Sequence, residues 1–274
     1  MHLLGLPGEL SLMILECLES EQDINAFART HSHFYTHFNT YLYTRNMVAS
    51  QSSAIIWAAS HGIPETLQKS IQQGGNIEVR DALRDNTPLA IAIEHGHTAI
   101  ANQLLDQGAD ISARNKYQQT PLFEVARLGD ESLARRLIDL GAEVDATDEN
   151  WKSPLRYALY EKHSSVVEVL LQRGADPNHR GSITNIKPMP PLYIAIVNLD
   201  ETSVRLLLEY RADPEMPGHF PQPLHMAARK GHVYAARLLL ERGVDRTRKD
   251  PSGRTPMDLA EWAGLGDRMR PLLE

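Results

Sequence analysis

The feature that most constrains the fold is a pattern that recurs every 32 to 37 residues. A Thr-Pro-Leu-like step is followed by small apolar residues, usually a glycine, then a Leu-Leu pair and a second glycine. The marker position of this step, which is proline in all copies but the first, falls at Ala54, Pro88, Pro121, Pro154, Pro191, Pro223 and Pro256. Self-similarity at this period predicts a solenoid in which each unit packs against its neighbours.

The residue types at fixed positions predict two helices in each unit. Thr87 and Thr120 can act as N-caps whose hydroxyls accept from helix amides, and the following proline suits the first helical position. Alanines such as Ala92 predict a thin first helix, and leucine pairs such as Leu104/Leu105 predict a second helix buried against its neighbours. No unit can bury its own apolar face, so stability has to come from stacking.

The fullest copy runs Gln222-Pro223-Leu224-His225-Met226-Ala227-Ala228-Arg229-Lys230-Gly231-His232 and continues with Leu238-Leu239-Leu240-Glu241-Arg242-Gly243. This copy closely resembles the ankyrin repeat, and the other copies match in part, over about four fifths of the chain. The resemblance implies an all-α fold, an ankyrin-repeat solenoid of about seven helix-turn-helix repeats spanning residues 51–274.

Residues 1–50 do not fit the repeat and are predicted to form a small three-helix unit. Its first helix carries Leu10, Met13, Ile14, Cys17 and Leu18 at helical spacing after Pro7. The run Leu6-Pro7-Gly8-Glu9-Leu10 and the apolar residues after it resemble an F-box, in the form that precedes ankyrin repeats in many fungal proteins. The resemblance implies binding of a Skp-type linker protein through Leu6, Pro7, Leu10, Ile14 and Leu18.

Two observations keep an alternative open for this unit. A typical F-box continues with an apolar-basic stretch that ends in tryptophan, whereas residues 28–35 offer histidines and aromatic residues instead. The first repeat also places Ile56 and Trp57 where a polar residue would be usual. The apolar stripe of the first helix would then only cover these two side chains.

Composition indicates an intracellular protein of a reducing compartment, cytoplasmic or nuclear. The single cysteine, Cys17, excludes an intramolecular disulfide framework, and no stretch approaches about 18 consecutive apolar residues. The first six residues lack the basic start of a signal peptide. The net charge of −7 gives no general attraction to nucleic acid or to an acidic membrane. We expect a monomer with protein partners.

The sequence contains no motif that indicates catalysis. No phosphate-binding glycine loop, nucleophile elbow or Cys-x-x-Cys pattern is present. His31, His33 and His37 have a spacing that could suit a metal, but no cysteine or carboxylate is near enough to complete a site. His97, His225 and His232 occupy positions where ankyrin repeats use histidine structurally. We therefore expect no catalytic, cofactor-binding or metal-binding residues, and no cofactor.

Function is expected on the surface that the repeats leave variable. In ankyrin proteins the residue pair before the inter-helix glycine projects toward a concave face. The predicted partner-binding residues at these positions are Glu94, His95, Arg127, Leu128, Tyr160, Glu161, Asn198, Arg229, Lys230 and Trp262. Arg127, Tyr160, Arg229 and Trp262 are the first candidates, because tyrosine, tryptophan and arginine are enriched among energetic anchors.

The fourth and fifth repeats depart most from the pattern. Lys162 and Leu199 replace the inter-helix glycine, and Arg211 replaces the glycine after the fifth second helix. A non-glycine residue at positive φ costs on the order of 1 kcal/mol, so these turns are either rebuilt or strained. Extra residues between Gly181 and Pro191 predict an extended segment beside the groove that helps to select the partner.

These features predict a substrate receptor of a cullin–RING ubiquitin ligase. The F-box-like helices would dock the Skp linker, and the ankyrin groove would present a bound protein. An alternative is an interaction scaffold whose N-terminal helices only cap the solenoid. A third, an enzyme or small-molecule binder, would require ionisable groups such as Glu94, His95, Tyr160 and Glu161 to converge around a closed pocket.

Overall fold

The structure is a computed structural model that describes residues 51–181, 189–215 and 222–274. Over these ranges it contains helices and no strands. The helices are α1 (Gln51–His61), α2 (Pro64–Gln72), α3 (Pro88–Glu94), α4 (Thr98–Asp106), α5 (Pro121–Leu128), α6 (Glu131–Asp139), α7 (Pro154–Tyr160), α8 (Ser164–Gln172), α9 (Pro191–Val197), α10 (Glu201–Glu209), α11 (Pro223–Lys230), α12 (Val233–Glu241), α13 (Pro256–Trp262) and α14 (Gly266–Leu273).

These helices form seven consecutive pairs, which confirms the predicted solenoid. The predicted F-box-like unit, residues 1–50, lies outside the described residues, and so does most of the predicted segment after Gly181. None of the helices that the structure describes has the length and apolar character needed to span a membrane.

The pairs stack in two layers. The first helix of each repeat contacts the first helix of the next, and the second helices contact one another in the same way. The alanines of the first helices are fully buried, as predicted, and so are most of the leucines of the second helices. A single apolar core runs through all seven repeats. Burial is therefore shared between neighbours, as the sequence pattern requires.

The predicted N-caps differ from one another. The Thr87 hydroxyl accepts from the Ala90 amide at 3.4 Å, as expected. The prediction for Thr120 was wrong, since its side chain makes no capping hydrogen bond. The last repeat has a complete capping box: Thr255 Oγ1 accepts from the Asp258 amide at 3.2 Å, and Asp258 Oδ2 accepts from the Thr255 amide at 2.7 Å.

The turns without glycine keep the left-handed conformation. Lys162, Leu199 and Arg211 have φ values of 62°, 57° and 69°. The chain therefore accepts the backbone strain of about 1 kcal/mol at each position instead of rebuilding the turn.

Histidines link neighbouring repeats across the inter-helix turns. His97 Nε2 lies 3.2 Å from the carbonyl oxygen of Ser60, and His163 Nε2 lies 3.0 Å from that of Arg127. Each ring sits directly against the turn glycine of the preceding repeat. A Cβ at Gly62 would lie 2.7 Å from His97 Nδ1, and one at Gly129 would lie 2.4 Å from His163 Nδ1. Glycine is required here for space as well as for φ.

His232 has the predicted structural role, as the N-cap of α12, but does not make this contact with the neighbouring backbone. The preceding turn residue is Leu199, and His232 Nε2 is buried with no hydrogen-bond partner among the described residues. Its Nδ1 instead faces the Ala235 amide of its own helix at 3.5 Å. We attribute the lost contact to the Cβ of Leu199, which occupies the space that glycine leaves open elsewhere. His225 behaves as predicted, with Nε2 at 3.0 Å from the Arg254 carbonyl.

Gly129→Ala should destabilise the fold more than Gly96→Ala. Both glycines have positive φ, which costs alanine about 1 kcal/mol. A Cβ at Gly96 would meet nothing within 4 Å, whereas one at Gly129 would displace His163 and break its hydrogen bond. We expect a further loss of about 1–3 kcal/mol for Gly129→Ala in urea unfolding followed by circular dichroism. Equal losses would show that the histidine contact contributes nothing.

Leu199→Gly should stabilise the fold, and Lys162→Gly is its matched control. Both substitutions relieve positive φ, but only the repeat after Leu199 carries a histidine at the facing position, since the corresponding residue after Lys162 is Asp200. We expect the gain in the free energy of unfolding to be about 1 kcal/mol larger for Leu199→Gly than for Lys162→Gly, because one hydrogen bond is added. A gain for Lys162→Gly at least as large would contradict this explanation of the unpartnered His232.

Candidate protein-binding groove

The loops between repeats end in tips that form one wall of a groove. At the tip before α7, Asp148 Oδ1 accepts from the amides of Asn150 and Lys152 at 2.8 and 2.9 Å. Asn115 and Asp250 close their own tips in the same way. The tips before α3, α5 and α7 are tied together by backbone hydrogen bonds, for example from the Glu149 amide to the Tyr117 carbonyl at 3.0 Å. The wall is therefore held by main-chain contacts that do not depend on the exposed side chains.

A pocket of about 440 Å³ opens between the tips and the first helices of the second to fourth repeats. Its floor is a hydrogen-bonded tyrosine. The Tyr157 hydroxyl donates to Asp148 Oδ2 at 2.9 Å and accepts from Gln119 Nε2 at 3.0 Å, and its ring meets Phe123 edge-on. The pocket is lined by Arg84, Glu94, Tyr117, Gln119, Phe123, Glu124, Arg127, Asp148, Glu149, Asn150 and Tyr157.

The two arginines of this pocket are neutralised within the chain. Arg84 forms an ion pair with Glu94, and Arg127 forms one with Glu124 at 2.7 Å. Burial raises the pKa of the Tyr157 hydroxyl well above its usual range, and the hydrogen bond to the Asp148 carboxylate adds to the shift. Tyr157 therefore stays protonated at neutral pH and holds the tip to α7 as a hydrogen-bond donor.

The predicted groove residues divide into three groups. Glu94 and Arg127 line the pocket. The Asn198 amide donates to the Leu159 carbonyl at 2.8 Å, which gives this side chain a structural contact to the preceding repeat. The remaining predicted side chains are all exposed: His95, Leu128, Tyr160, Glu161, Arg229, Lys230 and Trp262. Their part in binding stays a prediction.

Two of the exposed aromatic residues carry an arginine against the ring. The Arg156 guanidinium lies 5.4 Å from the centre of the Tyr160 ring and donates to its hydroxyl at 2.9 Å. The Arg229 guanidinium lies 5.3 Å from the centre of the Trp262 ring. Such cation–π contacts hold large side chains in place on the surface. Tyr160 is 38% exposed and Trp262 is 70% exposed.

Sequence reasoning missed most of the pocket, because its lining comes from the tips. One signal was available. The side chains that close the tips, Asn115, Asp148 and Asp250, each stand six residues before the marker proline. Tyr157 gave no such signal, since its position in the repeat is also compatible with simple apolar packing.

The four ionisable groups named for a possible enzyme do not converge on the pocket. Glu94 is in its wall, but His95, Tyr160 and Glu161 are not. The described part of the chain also contains no cluster of three or more histidine, cysteine, aspartate or glutamate residues placed to hold a metal ion.

The repeats match a known family model. Residues 36–115, 55–148, 110–181 and 192–274 match the model described as ankyrin repeats in three copies. The first match begins inside the segment assigned from sequence to the F-box-like unit.

Curated relatives are similar over parts of the chain. Ankyrin repeat and SOCS box protein 11 of Danio rerio is 35% identical over 97 residues, which are 35% of this chain and 32% of that protein. ARF GTPase-activating protein GIT1 of Homo sapiens is 40% identical over 75 residues, 27% of this chain and 10% of that protein. The chain thus spans a third or less of these relatives.

Solved structures of ankyrin repeats have the same fold. The human ASB11 ankyrin repeat domain superposes with a TM-score of 0.67 at 28% identity, covering 80% of this chain and 97% of that one. The ankyrin repeat domain of Bcl-3, described as a unique member of the IkappaB protein family, superposes with a TM-score of 0.66 at 25% identity and covers 79% and 97%.

Tyr157→Phe should weaken the fold at the pocket. The change leaves Asp148 Oδ2 without its donor in a buried position and removes the acceptor of Gln119, so we expect a loss of about 1–3 kcal/mol at neutral pH by urea unfolding.

The pH dependence of stability provides the control for Tyr157→Phe. With its pKa raised in the folded state, Tyr157 keeps a proton that the unfolded chain releases above about pH 10. Wild-type stability should therefore fall as pH rises through that value, and the variant should fall less steeply. Identical slopes would contradict the assigned role of the hydroxyl.

Proposed function

Because the chain belongs to the ankyrin-repeat family, we propose that it is a non-catalytic interaction adaptor that binds a partner protein in its groove. The observation that carries this proposal is the set of exposed Tyr160, Arg229 and Trp262 side chains on one face of a scaffold held by other contacts. Tyrosine, tryptophan and arginine are the residues that most often dominate binding energy at protein interfaces.

The wall of the groove supports the same proposal. The tips before α3, α5 and α7 are tied to one another through the backbone, and Asp148 closes the last of them, so this part of the surface is formed before the partner arrives. A preformed surface loses little conformational entropy on binding. Binding would occur in a reducing intracellular compartment, cytoplasmic or nuclear, as the single cysteine suggests.

We further propose that the adaptor is the substrate receptor of a cullin–RING ubiquitin ligase. The support is the resemblance of residues 6–18 to an F-box, with Leu6, Pro7, Leu10, Ile14 and Leu18 as the residues that dock a Skp-type linker. The partner in the groove would then be the protein presented for ubiquitination. If these helices only cover Ile56 and Trp57, the chain is instead a scaffold without a role in the ligase.

Pro7→Ala/Leu10→Asp should abolish capture of a purified Skp-type linker by the full chain, because the charged residue would disrupt an apolar contact. Leu140→Asp is the matched control, since it places the same charge on an exposed leucine that follows the last residue of α6. Circular dichroism of each variant establishes that it is folded.

Capture by the wild type and by Leu140→Asp, but not by the double variant, would support the ligase role. No capture by the wild type would overturn that role and leave the scaffold. Binding of a partner in the groove would be unaffected by that result, because the two proposals concern different parts of the chain.

A further inference from the structure

The two halves of the groove differ in whether certain arginines form ion pairs within the chain. In the first half, formed by α3, α5 and their tips, Arg84 and Arg127 are each paired with a glutamate of the same chain. In the second half, formed by the first helices α7, α9, α11 and α13, Arg156 and Arg229 have no ion pair with any carboxylate of the described residues. Both instead lie against aromatic rings.

Arg156 is the more unusual of the two. The residue is only 7% exposed, and its Nε is buried without a hydrogen-bond partner. Its other nitrogens donate to neutral oxygens, the Met189 carbonyl at 3.1 Å and the Tyr160 hydroxyl. A buried guanidinium normally has a carboxylate to offset the cost of removing its charge from water. Here the guanidinium has no counter-charge among the described residues and contacts the exposed Tyr160.

The cations of α11 lie further along the same surface. Arg229 and Lys230 are exposed, and neither forms an ion pair within the described ranges. Two carboxylates of the last repeat are engaged within the chain, since Asp250 pairs with Arg254 at 2.8 Å and Asp258 caps α13. Glu161 is exposed, and it is followed directly by Lys162.

The helix dipole explains only part of this arrangement of unpaired cations and exposed rings. Arg229 and Lys230 occupy the last turn of α11, where the helix dipole favours cations. That preference does not explain a Trp262 ring that is 70% exposed beside them, nor a buried Arg156 without a counter-charge. Both features are accounted for if a partner supplies the missing carboxylates and covers the ring. The chain as a whole is acidic, with a net charge of −7, so this cationic surface is a local feature.

We infer that the second half of the groove binds an acidic segment of the partner protein, with carboxylates over Arg229 and Lys230 and an apolar side chain against Trp262. Charge complementarity of this kind selects partners and speeds their association. The inference rests on the proposed function, because it names the chemistry of the partner that the groove takes.

A phage-displayed library of random dodecapeptides, selected on the full chain, tests this inference without assuming a partner. We expect selected peptides to be enriched in aspartate and glutamate together with apolar residues. Arg229→Glu/Lys230→Glu should weaken their binding about tenfold or more in calorimetry. Binding of the wild type should also weaken with added salt, because the Debye length falls from about 30 Å at about 0.01 M salt to about 8 Å at about 0.15 M.

Arg237→Glu/Arg242→Glu is the matched control, because it makes the same change in net charge on the second helix of the same repeat. We expect this variant to bind within twofold of the wild type. Equal weakening by both double variants would show that binding depends only on the net charge of the chain, and would overturn the inference. Selection of basic peptides, or of peptides without charge bias, would overturn it as well.

Trp262→Ala separates failure of the inference from failure of the proposed function. Basic or neutral peptides that lose binding to Trp262→Ala would leave groove binding intact and reject only the acidic partner. If no selected peptide depends on Trp262 or on the two cations, both the inference and groove binding by this face are wrong.

Discussion

The whole structure depends on stacking between neighbouring repeats. A pair of helices of seven to eleven residues cannot enclose an apolar core, so every repeat completes the core of the next. The fully buried alanines of the first helices allow this close approach. Polar contacts also join each of these repeats to the next one along the chain. Arg80 and Arg114 each donate to a backbone carbonyl of the following repeat, at 2.6 and 2.8 Å. The fold is thus a chain of similar interfaces.

This arrangement leaves the groove residues free for binding. Because the tips are closed by Asn115, Asp148 and Asp250 and the helices are held by their buried faces, the exposed side chains before each turn contribute little to the fold. Their chemistry can then differ along the groove. Arg84 and Arg127 of the first half pair with glutamates of the chain, whereas Arg229 and Lys230 of the second half form no ion pair among the described residues. Stacking alone requires neither arrangement, and the difference agrees with the acidic partner inferred for the second half.

The sequence predicted what repeats in every unit and failed where two units meet. The period, the helix pairs and the buried alanines all follow from one repeat taken alone, whereas the pattern left open whether the turn at Leu199 is strained or rebuilt. The missing contact of His232 does not follow from one repeat, because it depends on Leu199 of the preceding repeat. The pocket was missed for the same reason, since Tyr157 binds Gln119 of the previous tip. Thr120 shows the limit within one repeat, because a suitable residue type does not guarantee the capping bond.

The strained turns lie in the middle of the groove, which connects stability with binding. Lys162 and Leu199 belong to the fourth and fifth repeats, between the pocket and the cations of α11. In a solenoid a weakened unit lowers the stability of the interfaces on both of its sides. A partner that contacts both halves binds only while these middle repeats are stacked. Its binding free energy then stabilises them, since a ligand that binds only the folded state shifts the equilibrium toward that state. The strain at Lys162 and Leu199 lowers the stability of the middle repeats by about 1 kcal/mol at each turn, and binding of such a partner would offset that loss.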